Sequence, residues 1–189
     1  MSGSLSAPRR APLMEAIGVS KRFGGVAALQ SVQVVVQPGE VLAIVGENGA
    51  GKSTLMKLLA GIHSPDEGEL RLDGKPVRFT GVPDALAAGV VLIHQELNLA
   101  ENLSIAANLF LGRERGLLLN RAHENEATRA LMQRVGLDID PQTVVETLAP
   151  GQKQLVEIAR ALSRDARLII FDEPTSSLTQ RETDRLYEV

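Results

Sequence analysis

The stretch Gly46-Glu47-Asn48-Gly49-Ala50-Gly51-Lys52-Ser53-Thr54 decides the fold of this 189-residue chain. It fits the pattern G-x-x-x-x-G-K-[ST], and it follows the apolar run Val41–Val45, which predicts a strand, and precedes the helical pattern of Leu55–Leu59. Small residues at positions 46, 49, 50 and 51 let backbone N–H groups converge on a triphosphate, and the positive end of the next helix adds to the attraction. The stretch therefore predicts a nucleotide-binding loop.

Two side chains of this loop carry specific chemistry. Lys52 can reach the β- and γ-phosphates, and the Ser53 hydroxyl can take one coordination position of a magnesium ion. The alternative is an accidental glycine-rich turn, but average residue usage gives the whole pattern in well under ~1% of chains of this length. The loop between a predicted strand and a predicted helix favours the functional interpretation further.

Composition excludes several classes of function. The chain has no cysteine, which rules out disulfides, thiolate metal sites and a cysteine nucleophile. A formal net charge of −3 argues against a nucleic-acid-binding surface, because such domains are usually basic with clustered Lys and Arg. No apolar run approaches the length of about 18 residues that spans a bilayer. Residues 1–13 contain no apolar stretch typical of a secretory signal, and they are expected to form a disordered tail.

Alternating apolar residues predict strands on both sides of the phosphate loop. Residues 15–37 alternate in two runs, with Ile17 and Val19 in the first, which indicates a small antiparallel sheet beside the main one. Between the runs, Phe23 precedes two glycines, where an aromatic ring can stack on a nucleobase or pack in the core or in the turn. Residues 68–79 predict a hairpin that turns at Asp73-Gly74.

The middle of the chain changes from strand to helix. A short helix is expected over Pro83–Ala88, and the buried strand Val90–Ile93 then delivers His94-Gln95-Glu96 to the edge of a parallel sheet where ligands bind. Residues from about 99 to 163 have helical periodicity and predict an inserted helical subdomain. Ser104 is expected to cap a first short helix, and Asn120 a longer second one in which Ala127, Leu131 and Val135 recur every four residues. A third helix is expected over 151–162. Its apolar face would consist of Leu155, Ile158, Ala159 and Leu162.

The apolar run Leu168–Phe171 predicts a last buried strand, which ends in two acids. Asp172 can hold a magnesium ion through its water shell, and Glu173 can polarise the water that attacks the γ-phosphate. A solvated acidic turn is the alternative, and it would be preferred if the phosphate loop were absent.

Five motifs in one order carry a family resemblance: the phosphate loop, Gln95, Leu148-Ala149-Pro150-Gly151-Gln152, Asp172-Glu173 and Ser176-Ser177-Leu178-Thr179. This order resembles the ATP-binding-cassette ATPases. The runs VGENGAGKSTLMK, HQELNLAENLSIAANLFLGRE and EIARAL, which begin at residues 45, 94 and 157, are similar to the ATPases of ribose-type monosaccharide importers. The resemblance covers residues 14–189, and it implies ATP and Mg²⁺ as cofactors.

The resemblance also implies a role for each site residue. Phe23 matches the aromatic that stacks on adenine, and Gln95 matches the residue that contacts magnesium and the attacking water. Asp172 matches the magnesium-associated acid, and Glu173 the catalytic base. The nucleotide-binding set comprises Phe23, Gly46, Glu47, Asn48, Gly49, Ala50, Gly51, Lys52, Ser53 and Thr54, together with Ala149, Gly151 and Gln152 of the signature run.

The fold implied by the resemblance is α/β: a P-loop NTPase with a parallel core sheet, an antiparallel β subdomain and an inserted helical subdomain. The implied function is ATP hydrolysis that drives monosaccharide uptake, at the cytoplasmic face of the inner membrane. The implied partners are a second ATPase domain, bound head to tail so that the signature of one closes the site of the other, an integral membrane permease and a periplasmic sugar-binding protein. A nucleoside or autoinducer importer is the alternative within transport.

Two departures from the family pattern qualify this expectation. Ala149 stands where serine is usual and Pro150 where glycine or isoleucine is usual, so we expect a weaker contact with the nucleotide of the opposing domain. The family has a switch histidine after the catalytic glutamate, whereas the histidines here are His63, His94 and His123. The chain is therefore expected to be an N-terminal part of a longer protein with low activity alone. A hydrolytically inactive ATP-binding module is the alternative.

Overall fold

A computed structural model describes residues 11–94, 98–112 and 121–172. Several predicted features lie outside these residues, namely Gln95, Asn120, Glu173 and the run 176–179. The chain divides into two compact units, Met1–Ala87 and Ala88–Val189, and each is considered separately.

The first unit is built on a four-stranded antiparallel sheet with strand order β2-β1-β3-β4. The strands are β1 (Met14–Phe23), β2 (Val26–Val36), β3 (Glu67–Leu72) and β4 (Lys75–Val77). The predicted antiparallel sheet and the predicted hairpin are therefore confirmed. Asp73 and Gly74, which form the hairpin turn, have φ angles of 52° and 73°, as a tight two-residue turn between antiparallel strands requires.

A bulge in β1 corrects the predicted alternation of that strand. Its buried residues are Met14, Ala16 and Val19, whereas Ile17 is only half-buried. The register with β2 shifts between Ala16 and Val19, so the extra residue moves the buried positions from even to odd numbers. Gly18, with a φ of 60°, lies within this bulge.

The first unit also contains two helices. Helix α1 (Lys52–Leu59) follows the phosphate loop, and Gly61 ends it in the left-handed conformation with a φ of 74°, as predicted. Helix α2 (Val82–Ala87) confirms the short helix expected at Pro83–Ala88 within one residue at each end. The buried face of α1 consists of Leu55, Leu58 and Leu59.

The predicted strand before the phosphate loop is wrong. Residues 41–45 have no regular secondary structure, and the exposed fractions of Val41 and Val45 are 75% and 92%. A strand needs a neighbour that satisfies its backbone N–H and C=O groups. Neither sheet of the described residues includes this run, so its apolar side chains alone do not make it a strand.

The second unit has a two-stranded parallel sheet and three helices. Strands β5 (Val90–Ile93) and β6 (Leu168–Phe171) pair in parallel, with Val90 opposite Leu168 and Ile93 opposite Phe171. The parallel pairing of these two predicted strands is therefore observed. The burial predicted for β6 is wrong in part, because only Ile170 is fully buried in a pair of strands with no third neighbour among the described residues.

The helices of the second unit are α3 (Ile105–Phe110), α4 (Arg121–Arg134) and α5 (Pro150–Leu162), and a short 3-10 turn spans Val145–Thr147. Each helix contacts the other two. Ser104 caps α3 as predicted, with its hydroxyl oxygen 3.2 Å from the Ala107 amide nitrogen that donates to it. These helices lie within the range predicted for a helical subdomain, whose boundaries stay a prediction.

Two predicted helix faces need correction. In α4, the buried positions are Thr128 and Met132, one residue beyond the predicted Ala127 and Leu131, and Val135 is buried as expected. In α5, burial extends over residues 154–159 without interruption, and Leu162 is only half-buried. Helix α5 contacts α3, α4 and β5, and its burial is not limited to the single predicted face.

One residue of the expected tail is packed against the first sheet. Leu13, which was placed in the tail, is buried, and its N–H donates to the Val36 carbonyl at 2.8 Å. Among the described residues, no helix is both long enough and apolar enough to cross a membrane.

Candidate functional site

The phosphate loop depends on glycine at two positions for two different reasons. Gly49 and Gly51 have φ angles of 85° and 89°, a conformation that favours glycine over any other residue. A Cβ on Gly51 would lie 2.4 Å from the Ala28 carbonyl oxygen and 2.9 Å from Leu29, whereas a Cβ on Gly49 would have no neighbour within 4 Å. Gly51 therefore seats the loop on β2, while Gly49 leaves open space beside the backbone.

Lys52 places its positive charge on this loop. Its ammonium nitrogen donates hydrogen bonds to the carbonyl oxygens of Gly46 at 2.8 Å and Glu47 at 2.9 Å. An ammonium group has three N–H donors, so these two bonds leave capacity for an anion. The Ala50 amide donates to the Glu47 carbonyl at 3.1 Å and closes the turn inside the same loop.

The start of α1 is suited to a negatively charged ligand. Gly51 is its N-cap, and the first turn contains no acidic residue. Ser53, in that first turn, is exposed. The helix dipole and the unpaired N–H groups of a first turn attract anions. The start of α1 and the charge of Lys52 therefore both favour a negatively charged ligand.

Phe23 is presented on the tip of the β1–β2 hairpin. Its side chain is 43% exposed, and the following turn consists of Gly24 and Gly25 with φ angles of 52° and 87°. The His63 ring meets it edge to face, with centroids 5.1 Å apart and planes inclined at 67°. The Lys21 ammonium lies 5.7 Å from the Phe23 centroid. The exposed ring is compatible with base stacking and with packing in the turn, but not with a place in the core.

In the second unit, His94 and Asp172 follow the carboxyl ends of the paired strands β5 and β6. The Asp172 amide donates to the Ile93 carbonyl at 3.1 Å, so the parallel pairing continues to this acid. Both side chains are half-buried. Gln95 and Glu173, which follow them in sequence, lie outside the described residues.

The signature run begins α5. Ala149 is the N-cap in an extended conformation, with φ −64° and ψ 154°, and Pro150 is the first helical residue, a position that tolerates proline. The Ala149 amide donates to the Gln152 side-chain oxygen at 2.9 Å. In a capping box, the N-cap side chain also accepts a backbone N–H, but alanine has no side-chain oxygen, so only the bond to Gln152 exists here. Gly151, the second residue of the helix, is buried.

Glu157 is a buried carboxyl group that sequence reasoning missed. One of its oxygens accepts the Asn98 amide at 2.7 Å, and the other is buried without a partner among the described residues. Burial raises the pKa of the Glu157 carboxyl, against the opposing effects of the Asn98 amide and the Arg160 charge. Arg160 donates to the Asn98 carbonyl at 2.8 Å. The available signal was one acid inside the apolar stretch of a helix.

The candidate site has no ready-made metal cluster in the part of the chain that the structure describes: no group of three or more His, Asp or Glu side chains could hold an ion there.

Comparison with known protein families decides the classification. The family model for the ABC transporter matches residues 29–176, from β2 through the phosphate loop to the end of β6 and beyond. The chain belongs to the ABC transporter family. The predicted family resemblance is therefore confirmed.

Curated relatives of this ABC family member are similar over nearly its whole length. It is 46% identical to the ribose import ATP-binding protein of Clostridium perfringens strain 13, over 95% of this chain and 37% of that protein. It is 49% identical to a ribose import ATP-binding protein of Rubrobacter xylanophilus, over 94% of this chain and 36% of that protein. The chain thus spans little more than a third of the length of these relatives.

Solved structures confirm the fold of the ABC family member. An ATP-binding cassette of an ABC transporter, crystallised in its ADP conformation, superposes with a TM-score of 0.81 at 24% identity, over 93% of this chain and 74% of that one. A nucleotide-free ATP-binding cassette gives a TM-score of 0.79 over the same shares. The predicted α/β P-loop fold class is confirmed.

Proposed function

We propose that this chain binds ATP and supplies the ATP-binding part of an importer for a monosaccharide, of which ribose or a related pentose is the best candidate. The observation that carries the proposal is the phosphate loop, where Gly51 fits closely on β2 and the Lys52 ammonium lies on the loop backbone. The names of the relatives, which are ribose import ATP-binding proteins, support the choice of substrate class.

Each member of the predicted site has a role in this proposal. Residues 46–54 cradle the triphosphate, and Phe23 stacks on the adenine. The residues that would hold Mg²⁺ are Ser53 and Gln95 and, through the ion's water shell, Asp172, a set of oxygen donors that suits a hard cation. When bound, the ion would neutralise charge on the phosphates. Glu173 takes a proton from the attacking water, and Gln95 orients that water.

The hydrolytic site is completed by a second ATPase domain. Residues 148–152 lead into α5 and contact the nucleotide of the opposing domain. The two domains are arranged head to tail. A membrane permease uses the closure of these domains to change conformation, and a periplasmic sugar-binding protein delivers the substrate. The assembly therefore places this chain at the cytoplasmic face of the inner membrane as a peripheral subunit.

Titration calorimetry with Mg-ATP tests the proposal on this chain alone. Lys52→Ala removes a charge-assisted hydrogen-bond donor, worth about 1.5–3 kcal/mol, and should lower the affinity about ten- to a hundredfold. Lys75→Ala removes an exposed lysine of β4 and is the control for net charge. Equal affinities for Lys52→Ala and Lys75→Ala would overturn the proposed role of the loop.

A hydrolytically inactive ATP-binding module is the second candidate, and Ala149 favours it. This residue stands at the N-cap of α5 without the hydroxyl that the family pattern has there. Single-turnover hydrolysis, measured with and without a partner ATPase domain, separates the two functions. Binding without turnover in every combination would favour the inactive module, and turnover with a partner would favour the importer ATPase.

A further inference from the structure

We propose that His63 and Asp66 are positioning residues that hold Phe23 as the platform for a purine base. The inference rests on the proposed ATP site and adds two residues that the signature motifs do not include. We call the contacts of residues 21–23 with His63 and Asp66 the hairpin latch.

Asp66 fastens the end of β1 with three hydrogen bonds. One carboxylate oxygen accepts the Lys21 ammonium at 2.7 Å, and the other accepts the Arg22 amide at 2.8 Å. The Asp66 amide donates in return to the Ser20 carbonyl at 2.9 Å. The Lys21 hydrogen bond, followed by that of the Arg22 amide, lowers the pKa of the Asp66 carboxyl, so the latch is charged at neutral pH.

His63 contacts the platform itself. Phe23 is followed by Gly24 and Gly25, which have no side chains that could contact its ring. The contacts that define the ring are the edge-to-face His63 ring and the Lys21 ammonium. Asp66 holds Lys21, and therefore both contacts depend on the segment from His63 to Asp66.

The same segment is tied to the helix of the phosphate loop. After α1 ends, the amides of Ile62 and His63 both donate to the Lys57 carbonyl, at 2.8 and 3.3 Å. Gly61, between them and the helix, is closely packed, because a Cβ there would lie 2.8 Å from the Phe79 side chain. His63 therefore has a fixed position relative to the C-terminal end of α1.

A second connection joins the hairpin to the other end of α1. Gly51, the N-cap of α1, packs against the Ala28 carbonyl of β2. The hairpin that carries Phe23 is thus fastened to α1 near its start through β2 and near its end through the hairpin latch. Two attachments fix the distance from the base platform to the phosphate loop, which a nucleoside triphosphate must span.

A positioned aromatic ring lowers the cost of binding a base. Stacking on a free ring must first remove the rotational freedom of its side chain, and a ring that is already held avoids this loss. The hairpin latch should therefore raise the affinity for ligands that have a base and leave the affinity for a base-free triphosphate unchanged. This difference separates a positioning role from a purely structural one.

The test is a comparison of Mg-ATP with Mg-tripolyphosphate by titration calorimetry on the complete chain. His63→Ala should lower the affinity for ATP about two- to tenfold, the range of one aromatic pair, and leave that for tripolyphosphate unchanged. His63→Phe retains an aromatic edge and should restore ATP binding, whereas His63→Gln should not. Asp66→Asn should have the same selective effect as His63→Ala.

Asp84→Asn is the matched control for Asp66→Asn. Asp84 also accepts a backbone amide and a side-chain donor, both from Thr80, at the start of α2, and should not affect either affinity. Phe23→Ala supplies the reference for complete loss of the platform. If Phe23→Ala weakens ATP binding selectively and the His63 and Asp66 variants do not, the latch proposal is wrong and the proposed function stands. If the unaltered chain binds neither ligand, the proposed function fails and the latch proposal fails with it.

Discussion

The phosphate loop and the start of α5 are both N-terminal ends of helices, but they are held in different ways. Lys52 bonds to carbonyls five and six residues before it, so the loop is organised largely within itself. Helix α5 is held by residues far away in sequence, since Glu157 and Arg160 bond to Asn98, 59 and 62 residues earlier. A local motif can therefore be recognised from the sequence, whereas the support of α5 is visible only in the folded chain.

Among the variants of the two helix ends, Gly51→Ala should have the largest effect on stability and on ATP binding. The added Cβ would meet the Ala28 carbonyl at 2.4 Å in a left-handed conformation, so we expect a loss of more than about 2 kcal/mol of stability and of measurable ATP binding. Urea unfolding and ATP titration measure the two effects.

Gly49→Ala is its matched control. It has nearly the same φ angle but open space around the Cβ, so only conformational strain of about 1–2 kcal/mol is expected. Equal losses of stability for the two variants would contradict the close seat of Gly51 on β2.

Glu157→Gln tests how α5 is held, through the pH dependence of the free energy of unfolding. Because burial raises the pKa of Glu157 above the ordinary 4.5, the unfolded chain releases this proton at lower pH than the folded chain. The stability contributed by the protonated group is complete below the unfolded pKa and is lost as the pH rises through the folded pKa. We therefore expect the glutamine variant to be more stable than the original chain at neutral pH, with the difference vanishing in acid.

Denaturant unfolding at a series of pH values measures this effect. Glu101→Gln is the control, because the Glu101 carboxylate pairs with Lys153 on the surface and is mostly exposed. A difference between the Glu157→Gln variant and the original chain that stays constant with pH would contradict a raised pKa in the folded state.

Ala149→Ser should have the smallest effect on stability. The backbone of Ala149 already has the extended conformation of an N-cap, and Gln152 already supplies the return bond. A serine hydroxyl would complete the capping pair and add about 1 kcal/mol. In the assembled dimer, the same hydroxyl should also raise the ATPase rate. An unchanged rate with increased stability would show that the hydroxyl acts only on the helix.

Much of the first unit was predictable because its signals are local. Alternation indicated the antiparallel strands, Asp73-Gly74 indicated the turn between β3 and β4, and Gly61 indicated the end of α1. The wrongly predicted strand before the phosphate loop has a physical cause. Val41–Val45 was predicted as a strand from its apolar residues, but a strand forms by pairing, and pairing depends on residues elsewhere in the chain.

In the second unit, the existence of the elements was predictable and their burial was not. The apolar residues of α4 and α5 indicated helices, but the sides that became buried depend on the neighbours each helix contacts. Glu157 shows this most clearly, because its sequence position marks it only as one acid in an apolar helix. Its burial and its bond to Asn98 belong to the packed unit.

The sequence by itself determined the phosphate loop, the family and the order of the motifs, because these depend on residue types at fixed short spacings. Tertiary structure alone decided that Gly51 is seated on β2, that Phe23 is exposed and in edge-to-face contact with His63, and that Glu157 is buried with one oxygen that has no partner among the described residues. These features join residues between 23 and 59 positions apart. No local pattern reports such contacts, since burial and pairing are properties of the whole packed chain.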